Sequence, residues 1–89
     1  MQKEWLIRKT TVEEAEQKHL VNDDRLGSEP VPFGFQNKEW LKFRERIRPG
    51  DELWEFSSPS ETWKLLCGRA GISLVRENEI INNIITVMN

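Results

Sequence analysis

The spacing of hydrophobic residues changes several times along this chain, and each change marks an element. Trp5, Leu6 and Ile7 form a short apolar run between charges, which predicts a first strand. Thr11-Val-Glu-Glu14 has the spacing of a capping box, so a helix is expected from Thr11 to about Leu20. Its acidic first turn, with Lys18 and His19 in the last, complements the helix dipole. The apolar stripe of Val12, Ala15, His19 and Leu20 is thin, so this helix should lie on the surface. Residues 21–36 show no period and contain Gly27, Pro30, Pro32 and Gly34. They predict a long connection pinned by Val31, Phe33 and Phe35, with a ligand-covering lid or a short edge strand as the other readings.

Beyond the connection the pattern sharpens. Asn37 is placed to cap a helix that runs to about Ile47 and stops before Pro49-Gly50. From Asp51 to Ser57 the residues alternate, with Trp54 and Phe56 on one face and Leu53, Glu55 and Ser57 on the other. Ser58-Pro59-Ser60-Glu61 then reads as an N-cap serine, a proline at the first helical position and a glutamate closing the box. The short helix that follows carries Trp63, Leu66 and Cys67, and Gly68 can end it. Ile72 to Arg76 and Ile80 to Val87, separated by Glu77-Asn78-Glu79, predict a hairpin. Both faces of the second run are apolar, which predicts a central or covered strand. Together these elements predict an α+β fold. A small antiparallel sheet of three to four strands, including residues 51–57, 72–76 and 80–87, is packed on one side by two or three helices near 11–20, 38–47 and 60–67.

Length and composition narrow the setting. With 89 residues the chain is expected to form one α+β domain over residues 1–89, since a second core would lack material. Four tryptophans and four phenylalanines should make that core largely aromatic. A net charge of -2 gives no global positive field, so neither nucleic acid nor an anionic membrane is an expected partner. The lone Cys67 can neither close an internal disulfide nor build a zinc site with a second thiol, which suits a reducing, cytoplasmic compartment. No segment approaches the ~18 apolar residues of a membrane span, and the N-terminus does not read as an export signal.

Candidate chemistry is sparse. Cys67 and His19 are the only thiol and imidazole, and the ordinary reading of Cys67, beside Trp63 on a short helix, is a buried, inert residue. Gly68-Arg-Ala-Gly71 has the spacing of a backbone-clamping Gly-x-x-Gly loop, but a strand follows it where a helix is required, so a helix-to-strand turn is expected. Asp51, Glu52, Glu55 and Glu61 are expected to be solvated rather than to act as paired catalytic or metal-binding carboxylates. The helix over residues 38–47 is the most informative segment. Trp40, Phe43 and Ile47 line one stripe, and Arg44 falls inside the apolar arc, where it should either snorkel, pair with a carboxylate such as Glu55, or meet an anionic ligand. Lys38, Lys42, Arg44, Arg46 and Arg48 outnumber Glu39 and Glu45 there, which is expected to be a solvated helix face, with an acidic partner or an exposed nucleic-acid strand beside Trp40 as the other readings. The candidate binding residues are therefore Trp40, Arg44, Arg48, Trp54 and Glu55. No catalytic, cofactor-binding or metal-binding residue is singled out.

The segment Gly50-Asp-Glu-Leu-Trp-Glu-Phe56, followed by Ser58-Pro59, Trp63, Gly68-Arg-Ala-Gly71 and Leu74-Val75-Arg76, resembles short bacterial proteins of unassigned activity, some of them carried in mobile gene cassettes. The resemblance covers about the C-terminal half, and it implies a bacterial, cytosolic accessory protein without supplying site residues. The expected function is a small binding or interaction module without catalysis or cofactor, whose partner is a protein, another copy of the chain included. The alternative is a protein that binds a small anionic or aromatic molecule between the 21–36 loop and the Trp40 helix.

Overall fold

A computed structural model describes residues 3–88. In chain order the elements are β1 (Leu6–Thr10), α1 (Val12–Lys18), β2 (Leu20–Val21), β3 (Val31–Pro32), α2 (Asn37–Glu45), β4 (Glu52–Ser57), α3 (Ser60–Lys64), β5 (Arg69–Arg76) and β6 (Glu79–Met88), with short 3-10 turns between some of them. Four strands make one antiparallel sheet in the order β1-β4-β5-β6, while β2 and β3 pair separately. The α+β architecture expected from the changes of period is the one observed.

The register decides which face is the core. Leu53 pairs with Leu74 and Ile72 with Ile84, so these four side chains share one face. They form a buried cluster with Ala15 of α1, Trp40 and Phe43 of α2, and Phe33. Trp54 and Phe56 lie on the opposite face, as their alternation required. There Phe56 is buried over its register partner Gly71, where an added Cβ would sit 1.9 Å from the Ile84 carbonyl oxygen. The body is thin, 39 × 37 × 17 Å along its principal axes.

Local chemistry explains where the elements start and stop. Thr11 Oγ1 accepts the Glu14 N–H at 3.1 Å and opens α1 as its sequence promised. The hairpin between β5 and β6 turns on Glu77 and Asn78, whose φ values of 51° and 67° are the left-handed pair that suits the twist of the flanking strands.

Several expectations are corrected. Asn37 is the first residue of α2 rather than its cap, because its amide is drawn back to donate to the Pro32 carbonyl at 3.0 Å. Ser58 does not cap α3; its hydroxyl is buried, shares a hydrogen bond with Thr62 Oγ1 at 2.6 Å and accepts the Arg69 N–H at 2.9 Å, tying the helix to the start of β5. Gly68 and Gly71 supply space rather than a left-handed turn, Gly68 because the Trp63 ring lies directly on it. Leu66 adopts a φ of 61° after α3, and that reversal leaves Leu66 and Cys67 exposed instead of packed. The 21–36 connection is anchored by buried Phe33 and by half-buried Val31 in its pairing with Val21, whereas Phe35 is 64% exposed beneath the Arg25 guanidinium. Finally, β6 is not central, and only its Ile84 face is covered. It is the outer strand of the sheet, with Ile84 inward and Ile81, Ile85, Val87 and Met88 exposed.

Candidate functional site

The five residues marked by sequence find partners in separate places. Trp40 is fully buried in a column of rings, 4.3 Å from Phe33 and 5.5 Å from Phe43, with His19 4.6 Å beyond Phe33. Its Nε1–H donates to Glu16 Oε2 at 2.7 Å, and Arg44 Nη1 reaches the same oxygen at 3.1 Å. Arg44 thus lies at the surface and is answered by Glu16, while Glu55 is engaged by Arg8 and Lys18. Burial pushes the Glu55 carboxyl up, but the hydrogen bonds from Lys18 and Arg8 outweigh it and hold the group below its ordinary value. Trp54 Nε1–H donates to Glu52 Oε1 at 3.0 Å. The Arg48 backbone N–H donates to Asp51 Oδ2 at 2.8 Å, its side chain extending toward α2 and β6.

The space expected between the connection and α2 is filled by the Phe33 and Trp40 rings. Beside it remains a hollow of about 320 Å³ lined by Lys18, His19, Leu20, Val21, Phe33, Gln36 and Thr86. Desolvation there, with the Lys18 charge adding to it, lowers the His19 pKa.

A larger concavity lies elsewhere, between α2 and the outer edge of β6. The inward positions of α2, Trp40 and Phe43, turn Glu39, Lys42 and Arg46 toward β6, and the groove of about 620 Å³ is completed by residues 82–86, Gln36 and Met88. Gln36 Nε2 donates to the Ile85 carbonyl at 2.7 Å, so that carbonyl points away from β5. An adjoining hollow of about 450 Å³ continues along the strand past Arg46, Arg48, Arg76, Glu45, Ile81 and Asn82. Its floor is rigid, because Arg76 forms two 2.8 Å hydrogen bonds to Asp51 and a third, 3.1 Å, to the Arg46 carbonyl. The Arg76 hydrogen bonds hold the Asp51 carboxyl down to about 2.

Charge is distributed unevenly between the two edges of the sheet. On β1, Arg8 and Lys9 are paired with Glu55 and Glu52. Along the groove, Glu39, Lys42, Arg46 and Arg48 form no ion pair among the described residues. Nothing charged stands between Ile80 and Met88. The arrangement can accept an extended polypeptide: outward backbone groups for a ladder, exposed Ile81, Ile85 and Met88 for apolar contact, and charges of both signs alongside. Sequence reasoning missed this edge by reading an apolar run on both faces as an interior strand. The polar Asn82-Asn83 pair in the middle of that run was the available signal.

The described fold and groove define a small α+β protein whose sheet has one charged outer strand, β1, and one outer strand, β6, without charge from Ile80 to Met88. Comparison with protein-family models, curated proteins and solved structures finds no match. Among the described residues no group of three or more His, Cys, Asp or Glu gathers as a metal site would, and no helix is long and apolar enough to cross a membrane.

Proposed function

We propose that the protein is a small accessory interaction module, without catalysis, that takes a protein partner by strand addition along β6. The observation that carries this reading is the ten-residue outer strand, free of charge and proline from Ile80 to Met88, whose edge lies beside a groove with Gln36 on its Ile85 carbonyl and whose ladder to β5 shifts register near Ile81 and Thr86. Edge strands in natural proteins are ordinarily shortened, charged or covered, since an open row of N–H and C=O groups recruits another chain. The opposite edge, β1, is five residues long and carries Arg8 and Lys9, which is the ordinary protection. A second copy of the chain brings the same edge, so a homodimer is the first partner to test. The resemblance to bacterial cassette-borne proteins and the single thiol favour a bacterial, cytoplasmic setting for such a module. A small ligand in the hollow beside His19 is the weaker alternative, because the Phe33 and Trp40 rings occupy the space such a ligand needs.

Amide hydrogen exchange tests the reading. In any complex the protein forms, the amides of residues 81–87 that face away from β5 should gain protection, and Ile85→Lys should abolish both protection and binding while the fold survives. Complexes that leave those amides exchanging as in the free chain refute strand addition.

A further inference from the structure

We infer that the occupant of the β6 edge is β6 of a second copy, paired antiparallel about a two-fold axis perpendicular to the sheet near Asn83 and Ile84, giving one continuous eight-stranded sheet. This rests on reading the edge as a strand-addition site and adds the identity and geometry of the partner.

The argument is one of self-complementarity. A two-fold interface uses the same patch on both copies, so each feature at one end of the patch must be answered by what lies at the other end. Helix α2 runs alongside β6 in the opposite direction. Its N-terminal end is fixed beside Ile85 by the Gln36 hydrogen bond, and Arg46 at its C-terminal end lines the hollow with Ile81 and Asn82. Glu39 therefore lies toward one end of the groove, Lys42 between, and Arg46, Arg48 and Arg76 toward the other, where Glu45 stands beside them. Rotation by the two-fold brings Glu39 of each copy to the arginine end of its mate. It does so twice, once on each side of the axis. Glu39, Arg46 and Arg48 are among the charges that form no ion pair among the described residues, whereas Arg8, Lys9, Lys18, Arg25 and Arg44 each have an internal carboxylate.

The apolar pattern obeys the same symmetry. Exposed Ile81 lies before the axis and exposed Ile85 after it, so antiparallel pairing sets Ile81 of one copy near Ile85 of the other, with the polar Asn83 pair between. The Ile85 carbonyl already points outward, and on pairing it exchanges the Gln36 amide for a ladder N–H. The helix layers of the two copies fall on the same side of the joined sheet, because a two-fold perpendicular to a sheet preserves its faces.

Charge reversal with rescue tests the geometry. Wild-type protein should sediment as a dimer in the micromolar range and dissociate with rising salt. Glu39→Arg and Arg46→Glu, both at exposed positions, should each keep the wild-type circular dichroism spectrum and melting temperature in dilute solution, yet weaken self-association tenfold or more. An equimolar mixture of the two variants should recover dimerisation as a heterodimer, since each then presents the charge the other lacks. A wild-type monomer up to millimolar concentration, or a dimer whose affinity neither variant changes and whose mixture shows no rescue, overturns the inference. Should a wild-type monomer still protect its residue 81–87 amides on binding a different protein, the occupant is wrong and the strand-addition reading stands. Should a dimer form with those amides unprotected, both fail.

Discussion

Replacing Trp40 by alanine should remove the largest single contribution to the core. The indole is fully buried and stands in the middle of the ring column between Phe33 and Phe43, so it contacts the connection, α2 and the sheet-facing cluster together. A buried tryptophan removes about 200 Å² from water, worth ~5 kcal/mol at ~25 cal/mol per Å². Truncations of this kind cost about 3 to 5 kcal/mol once partial collapse of the cavity is included. A domain of this size is stable by only about 4 to 13 kcal/mol, so Trp40→Ala should leave the protein barely folded at 37 °C. Trp40→Phe divides the effect. It keeps most of the apolar body and loses the 2.7 Å bond to Glu16, whose carboxylate stays partly solvated and still meets Arg44, so the expected cost is about 1 to 2 kcal/mol. Thermal unfolding followed by circular dichroism should place the phenylalanine variant about 5 to 15 °C below wild type and the alanine variant much lower. Phe35→Ala, at an exposed ring of the same connection, is the control and should change stability by less than about 0.5 kcal/mol. A Trp40→Ala loss no greater than that of Phe35→Ala would refute the assignment of the ring column to the core.

Two further outcomes follow from the ion pairs. Asp51 is held at about 2, below its ordinary 3.8, so its interaction with Arg76 stabilises the fold above the ordinary value and is lost as pH falls toward 2; Asp51→Asn should be less stable than wild type at pH 7, and urea titrations from pH 7 to 2 should show that difference closing only below about pH 4. Arg44→Ala should cost no more than about 1 kcal/mol, because Arg44 is half exposed and Glu16 keeps the Trp40 hydrogen bond; a loss of 2 kcal/mol or more in chemical denaturation would show that the guanidinium is held more tightly than this geometry allows.

The electrostatics divide the molecule into a settled part and an unsettled part. The cations of the β1 edge and of α1 are engaged internally, Arg8 and Lys18 on Glu55 and Lys9 on Glu52. The groove beside β6 retains charges of both signs over an apolar floor of Phe43 and Ile84. Electrostatic specificity of that form governs which partner and which register is accepted more than how tightly it binds.

What the sequence determined by itself is local. The period-two alternation at Leu53 to Ser57, the box at Thr11 to Glu14, and the two apolar runs around Glu77 and Asn78 were enough to set the strands, the first helix and the hairpin, because each is fixed by residues within a few positions of one another. The ring of Trp40 could likewise be placed on the inward stripe of its helix. What lay beyond sequence was every question of who stands next to whom across the fold. Arg44 meets Glu16 rather than Glu55 because α1 packs beside α2 while Arg8 and Lys18 reach Glu55 first. The capping roles of Asn37 and Ser58 were displaced by bonds to Pro32 and to Thr62 and Arg69, partners that only chain reversal brings near. The open edge of β6 is the clearest case. An apolar strand reads alike whether a neighbour covers it or not, since hydrophobicity records the wish for burial and not its fulfilment. Strand order, set by the pairing of β1 with β4 and of β4 with β5, left β6 on the outside.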